Sequence, residues 1–156
     1  MSLLVEYRTA RSEEDLARLR RVLALRAMLA DGGTQRQIAA ALGISQSAIS
    51  QQLRTSVVNQ AHPEALVEAG GPVLRHLAEG RGFTDLAVFG SVARREATQD
   101  SDIDLLVRQP VGTTIKGLQA LRELFETTLG RPVDLVTYGG LKAGVDDDVL
   151  REAVSL

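Results

Sequence analysis

The sequence contains no cysteine and no tryptophan, and only five aromatic residues, three phenylalanines and two tyrosines. Without cysteine the chain forms neither a disulfide nor a cysteine-ligated metal site, which agrees with a reducing compartment. So few aromatic side chains argue against a stacking platform for single-stranded nucleic acid. No apolar run approaches the roughly 20 residues of a membrane span, and "MSLLVEYRTA" is charged too early for a secretory signal. We therefore expect a cytoplasmic protein without membrane contact.

The 156 residues are 44% hydrophobic, so the chain is able to bury one core or two small ones. The net charge is -2, but its distribution is uneven. Residues 1–60 hold eight arginines and five acidic residues, whereas residues 61–156 hold ten basic and fifteen acidic residues. This difference indicates two units with separate roles. The positive charge of the first unit is too small to establish nucleic-acid binding by itself.

A first helix is predicted after Ser12, which we expect to cap it together with Asp15. Beyond this cap, apolar residues recur at helical spacing as far as the stop at Gly32 and Gly33. These apolar positions are Leu16, Leu19, Leu23, Ala27 and Ala30.

Two shorter helices are predicted next. The second helix starts at Thr34, with Gln37 completing a capping box, and is expected to bury Ile38, Ala39 and Leu42. Gly43 supplies a left-handed stop, after which Ile44 is expected to pack back on the helices. Ser45 caps the third helix, which holds the apolar residues Ile49 and Leu53. Two helices joined by a tight glycine turn form a helix-turn-helix.

The segment "TQRQIAAALGISQSAISQQLR", residues 34–54, resembles the helix-turn-helix of phage-repressor-type regulators. The resemblance implies that the third helix enters the major groove of duplex DNA, and that the protein forms a homodimer on two half-sites. Outward-facing amides and hydroxyls suit base edges, and these are Gln46, Ser47, Ser50 and Gln51. Gln35 and Arg54 are placed to contact phosphate. The alternative is a helical bundle whose polar face meets only water or a partner protein.

The stretch "TSVVNQAHP" has no firm periodicity and ends at Pro63, which is typical of a linker or hinge. Helical spacing over residues 65–79 is expected to be interrupted at Gly70, Gly71 and Pro72. We therefore divide the chain into a helix-turn-helix domain (residues 1–57), a linker or helix (58–71) and a second domain (72–156).

The second domain contains "DLAVFGSVARREATQDSDIDLLV". Its run from Leu86 to Phe89 is typical of a strand buried on both faces. Gly90 and Ser91 follow where strand becomes helix, and the free N–H groups of a helix start favour a phosphate, which Gly90 allows to approach closely. Alone, Gly-Ser is a common turn dipeptide.

Three carboxylates accompany this turn. Asp102 and Asp104 are two residues apart, so on a strand both side chains project from one face, where a hard cation relieves their repulsion. Asp134 lies in "PVDLVT", a second strand-like run, where an unpaired charge is costly. The pair alone is also explained by a cluster of turn and cap residues. Asp134 alone is also explained by pairing with an arginine such as Arg94.

Residues 83–107 resemble the minimal nucleotidyltransferases of the polymerase-β superfamily, whose signature is Gly-Ser, ten residues, then Asp-x-Asp. The similarity extends over residues 72–156: the family's third acid falls on Asp134, and "LREAVSL" resembles its terminal helix. The resemblance implies an α/β fold with a small mixed sheet. Many members have glycine where this chain has Arg95, and this bulkier residue is expected to narrow the nucleotide entrance and so to change the base or substrate preference.

The resemblance also assigns roles at the site. Asp102, Asp104 and Asp134 become the catalytic residues and the ligands of two Mg²⁺ ions. The candidate nucleotide-binding residues are Gly90, Ser91, Arg94 and Ser101. The substrate is ATP or another nucleoside triphosphate, and the expected reaction transfers a nucleoside monophosphate, AMP in particular, to a macromolecule. A small-molecule acceptor is disfavoured because the chain has no room for a separate acceptor-binding domain.

In the resembled family the common partner is a ribonuclease toxin with a HEPN domain, to which the antitoxin adds AMP. The helix-turn-helix then implies that the chain represses its own operon. The alternative is a DNA-binding transcriptional regulator whose nucleotidyltransferase domain only senses nucleotide or dimerises. The three carboxylates argue against this alternative, because a scaffold has no need of acids among apolar strands.

Overall fold

The first half of the chain is entirely helical and the second half holds a four-stranded sheet with three further helices, in a computed structural model that describes residues 1–156. The helices are α1 (Ser2–Ala30), α2 (Gln35–Leu42), α3 (Gln46–Leu53), α4 (Val57–Gln60), α5 (Pro63–Glu79), α6 (Gly90–Ala93), α7 (Ile115–Leu129) and α8 (Asp147–Glu152). The strands are β1 (Thr84–Phe89), β2 (Ile103–Arg108), β3 (Val133–Thr137) and β4 (Val154–Ser155). The predicted α/β class is confirmed. None of the helices is long and apolar enough to cross a bilayer.

Helix α1 is 29 residues long and starts at Ser2, so the predicted cap at Ser12 is wrong. Residues 2–15 contain neither glycine nor proline and are mostly good helix formers, so nothing ends the helix before Ser12. The side chains of this first half are all exposed. From Leu16 onward one face of α1 is apolar, and Leu19, Leu23 and Ala27 on that face are buried.

The helix-turn-helix forms with its predicted caps. The Thr34 hydroxyl accepts a hydrogen bond from the Gln37 amide (3.1 Å), and the Gln37 side-chain oxygen accepts one from the Thr34 amide (3.0 Å). Gly43 ends α2 in the left-handed region, with φ at 68°. The Ser45 hydroxyl then caps α3 by accepting from the Ala48 amide (3.1 Å). The helix-turn-helix therefore follows from signals within a few residues of each other.

The helix-turn-helix has a core of its own, formed by four buried residues: Leu25, Ile38, Ala39 and Ile49. Leu25 comes from α1, so this helix supports both α2–α3 and the sheet domain. Two burial predictions fail here, because Leu42 is 51% exposed and Ile44 is 38% exposed. Helices of eight residues cover a small area, and these two side chains lie beyond its edge.

Helix α5 is continuous, so the predicted interruption at residues 70–72 is wrong. It begins at Pro63, whose ring suits the first helical position, and the His62 ring accepts from the Glu64 amide (3.2 Å). A Cβ atom at Gly70 would lie 3.0 Å from Cδ1 of Leu23. The Gly-Gly pair is therefore consistent with close packing of α5 on its neighbours rather than with a break. The proposed boundary at residue 71 falls inside α5, and the division into domains stays a prediction.

The sheet is mixed, with strand order β3-β2-β1-β4. Strand β1 is antiparallel to β2 and β4, whereas β2 and β3 are parallel. One face packs on α1, α5 and α7 in a core of 23 buried residues, and the other holds a core of three: Ala87, Phe89 and Leu106. The run Leu86–Phe89 is thus buried on both faces, as predicted. The predicted terminal helix is partly wrong, because α8 ends at Glu152 and residues 154–155 form β4 against β1.

Candidate active site

Two of the three candidate aspartates are opposite one another on adjacent strands. In the register of the sheet, Asp104 on β2 is paired with Phe89 on β1 and with Asp134 on β3. Adjacent strands lie about 4.8 Å apart, and side chains of residues in register project from the same face. The sheet therefore brings Asp104 and Asp134 together, at the edge where β1 ends and β2 and β3 begin.

Asp102 lies just outside the sheet, because β2 begins at Ile103. The prediction that both acids of the Asp-x-Asp pair lie on the strand is therefore correct only for Asp104. Burial raises the pKa of Asp104, and the negative charges of Asp134 and Asp102 raise it further, while Arg94 opposes them. The charges of Asp102 and Asp134 therefore both act on Asp104, and a cation bound there would relieve this repulsion.

The three carboxylates do not form a closed metal cage. No three acidic, histidine or cysteine side chains lie close enough together to enclose an ion. Protein sites for magnesium usually contribute one or two carboxylates, while water and substrate phosphates complete the octahedron. The three carboxylates fit this kind of site, because they offer hard oxygen donors at an open edge of the sheet and repel one another when no cation is bound. The magnesium assignment itself remains a prediction.

Gly90 joins β1 to α6 and lies against Asp104. Its φ is 70°, in the left-handed region that favours glycine. A Cβ atom at this position would collide with the Asp104 carboxylate. Both observations explain why glycine occupies the turn, and they place the start of α6 beside the carboxylates. Ser91, the next residue, is half-buried.

Glu152 is part of this site, and the sequence reasoning missed it. Its carboxylate accepts hydrogen bonds from the Gly90 amide (3.3 Å) and from Nη1 of Arg94 (3.0 Å), and Arg94 Nε also donates to Glu96 (3.1 Å). Hydrogen bonds to Glu96 and Glu152 raise the pKa of Arg94. The alternative pairing of Arg94 with Asp134 is not formed. Glu152 is 62 residues from Gly90, so no local spacing reveals the contact.

The remaining nucleotide candidates differ in their surroundings. The Ser101 hydroxyl accepts from the Thr98 amide (2.8 Å) and thereby closes a turn before Asp102. Arg95 has a φ of 60°, a backbone conformation that disfavours a side chain, which accounts for glycine at the equivalent position of the resembled family. It lines a cavity of about 330 Å³ between α5, α6 and β4, away from all three aspartates.

The residues predicted to contact DNA lie on and beside α3. Gln46, Ser47 and Gln51 are exposed, whereas Ser50 is half-buried. Gln35, at the start of α2, is half-buried, and the exposed Arg54 donates to the Ser50 hydroxyl (3.2 Å). The exposed Gln46, Ser47 and Gln51 are accessible to a groove of duplex DNA.

Comparisons with known protein families match both parts of the chain. The model of the nucleotidyltransferase domain matches residues 74–156. The model of sigma-70 region 4 matches residues 17–59, which agrees with the helix-turn-helix formed by α2 and α3.

Individual relatives support the first match. The protein adenylyltransferase MntA of Thermococcus cleftensis is 42% identical over 81 residues, covering 51% of this chain and 81% of the relative. A protein of Methanocaldococcus jannaschii, provisionally named a protein adenylyltransferase, is 37% identical over 75 residues, covering 48% and 81%. A solved structure provisionally described as a minimal nucleotidyltransferase is 39% identical with a TM-score of 0.55, covering 60% of this chain and 95% of that one.

Proposed function

The chain belongs to the nucleotidyltransferase family, and from that premise we propose that it transfers AMP from ATP to a hydroxyl group of a protein. The observation that carries the proposal is the register of Asp104 with Asp134 beside the turn at Gly90. The names of the two relatives support AMP as the transferred group and a protein as the acceptor.

In the proposed reaction the acceptor oxygen attacks the α-phosphorus, the bond from this phosphorus to the α–β bridging oxygen breaks, and pyrophosphate leaves. Asp102, Asp104 and Asp134 would hold two magnesium ions, which supply charge neutralisation at the phosphates and lower the pKa of the attacking hydroxyl. Asp134 is exposed and lies in register with Asp104, and we assign to it the proton from the acceptor.

We assign binding of the triphosphate to the start of α6 and the residues beside it. The amides of Gly90 and Ser91 and the Ser91 hydroxyl are the donors for phosphate oxygens, and Arg94 faces the charge that develops on pyrophosphate. Glu152 accepts from Gly90 and Arg94 in the structure, so phosphate binding has to exchange with these contacts. We assign Ser101 a supporting place in the loop before Asp102.

A direct test incubates the full chain with α-³²P-labelled ATP, magnesium and an extract of its source. We expect label on a protein with the wild type, and none with Asp104→Asn. Asp100→Asn is the matched control, because Asp100 is an exposed acid of the same loop outside the carboxylate set. Label that persists in Asp104→Asn contradicts the site, and label on a small molecule contradicts the protein acceptor.

We further propose that the chain is an antitoxin that modifies a HEPN-domain toxin and represses its own operon as a homodimer. The exposed polar face of α3 supports the DNA-binding part of this proposal. Gln46→Ala/Gln51→Ala is expected to weaken binding to the operator duplex in a mobility-shift assay. Gln119→Ala, an exposed glutamine on α7, is the control. Selective duplex binding without any nucleotide transfer would favour the alternative, a regulator that only senses nucleotide.

A further inference from the structure

Asp102 is held by a loop rather than by the sheet. Strand β2 begins at Ile103, so no ladder hydrogen bond fixes the residue before it. Within the loop, the Thr98 amide donates to the Ser101 hydroxyl (2.8 Å) and the Ser101 amide donates to the Thr98 carbonyl (3.1 Å). These contacts close a turn but do not join it to the remainder of the protein. The position of Asp102 relative to Asp104 therefore depends on contacts from outside the loop.

Arg131 provides such contacts. Its Nη1 donates to the carbonyls of Gln99 (2.6 Å) and Ser101 (3.1 Å), and its Nη2 donates to the carbonyl of Ala61 (3.4 Å). The Ser101 carbonyl belongs to the peptide bond that leads into Asp102. One guanidinium thus joins this loop to the connection between α4 and α5. The planar guanidinium of arginine holds its N–H donors in fixed directions and so is suited to bonding several carbonyls at once. The single ammonium of lysine is not.

Gln99 makes a second tie between the same two segments. Its side-chain nitrogen donates to the carbonyls of Gln60 and Ala61, each at 3.2 Å. Gln60 is the last residue of α4, the short helix that follows the helix-turn-helix, and Ala61 comes directly after it. The loop that carries Asp102 is therefore anchored to the exit of the helix-turn-helix by two side chains that come from different directions.

We propose that Arg131 and Gln99 are positioning residues that set the place of Asp102 beside Asp104 and Asp134. The inference rests on the proposed function, because it gives these residues a role at a cation site. Neither side chain touches a reacting group. Residues that orient a metal ligand without touching the metal themselves typically change the metal affinity 10- to 100-fold when they are replaced.

The test uses Mn²⁺ alone as the probe, with the full chain and electron paramagnetic resonance titration. Arg131→Lys keeps the charge and loses the fork, and we expect the Kd for Mn²⁺ to rise about tenfold or more. Gln99→Ala, in an exposed loop that does not threaten folding, is expected to weaken binding in the same direction. Arg122→Lys is the matched control, since Arg122 pairs only with Glu126 on the surface of α7.

Amide hydrogen exchange adds a readout that does not need the metal. We expect faster exchange at residues 99–103 in Arg131→Lys and in Gln99→Ala, with unchanged exchange in α7. If the wild type binds Mn²⁺ and both variants bind it equally well, the inference is overturned. If exchange in this loop is unchanged, the inference is overturned whatever the metal result. Wild-type protein that binds no Mn²⁺, in contrast, contradicts the proposed function.

Discussion

Replacing Gly90 by alanine tests how closely the turn at the start of α6 approaches the carboxylates. Two costs are expected. A left-handed backbone at a residue with a Cβ costs about 1–2 kcal/mol, and the φ of Gly90 is 70°. The new Cβ would also collide with the Asp104 carboxylate, and overpacking of this kind costs about 1–3 kcal/mol. Together we expect a loss of about 2–5 kcal/mol in the free energy of unfolding.

The measurement is thermal unfolding followed by circular dichroism. In a chain of this length 1 kcal/mol corresponds to about 2–4 °C, so Gly90→Ala is expected to lower Tm by at least about 4 °C. Gly112→Ala is the matched control, because Gly112 also has a left-handed φ, 83°, but no atom lies within 4 Å of its added Cβ. The control incurs only the backbone strain, and the difference between the two variants isolates the collision with Asp104.

The double variant Gly90→Ala/Asp104→Ala separates the two costs in a second way. Truncating Asp104 removes the carboxylate that the new Cβ would meet. The Cβ of residue 104 remains 3.3 Å from the added Cβ, so in that background Gly90→Ala is expected to cost only slightly more than Gly112→Ala. The two single changes are therefore expected to be non-additive. If Gly90→Ala and Gly112→Ala destabilise the wild type equally, the close approach of the turn to Asp104 is refuted.

Two further predictions concern stability. The folded protein raises the pKa of Asp104 above that of the unfolded chain, so its contribution to stability is complete below pH about 3.9 and is lost as pH rises through the folded-state pKa. In the presence of a chelator, Asp104→Asn should therefore raise Tm at neutral pH, and the difference from the wild type should be smaller in acid. A Tm that is unchanged at pH 7 would contradict the burial of Asp104 and its repulsion by the neighbouring acids. Ile49→Ala should cost about 2–5 kcal/mol, because Ile49 is fully buried in the small helix-turn-helix core. Duplex binding should fall while nucleotide transfer persists, whereas Leu42→Ala, at a half-exposed position, should have little effect on either.

Sequence alone predicts those parts of the fold that rest on short-range contacts. Thr34 and Gln37 are three residues apart, and their reciprocal hydrogen bonds require only the geometry of the first helical turn. The end of α2 at Gly43, with a φ of 68°, is equally local. The motif of Gly90 with Asp104 spans only α6, one loop and the start of β2, so its spacing is also readable from the sequence.

The wrong predictions occur where distant packing decides. A serine followed by an acid has the same sequence pattern inside a helix as at its start, and only an upstream breaker would have ended α1 before Ser12. The pair Gly70–Gly71 has the composition of a turn, but α5 remains helical where Leu23 and Leu129 pack beside Gly70. Tertiary packing overrides local propensity at such positions.

At the site, too, contacts between residues close in sequence are predicted and contacts between distant residues are missed. Glu152 is missed because its partners Gly90 and Arg94 are about sixty residues away along the chain. Arg131 is missed for another reason. It bonds to backbone carbonyls, and because every residue has one, such contacts produce no recognisable sequence pattern. Contacts of this kind support functional side chains in any fold, and only coordinates reveal them.

Carbonyl contacts also change what the charge distribution indicates. Arg20 donates to the Ala69 carbonyl (2.8 Å), and Arg26 donates to the carbonyls of Thr128 (2.8 Å) and Thr127 (3.0 Å). Burial lowers the pKa of Arg26, as expected for a guanidinium drawn away from water. Two of the eight arginines in residues 1–60 thus join α1 to α5 and α7 instead of presenting their groups to phosphate. The excess of positive charge in this region is therefore partly structural, and the proposed binding of DNA depends chiefly on the open polar face of α3.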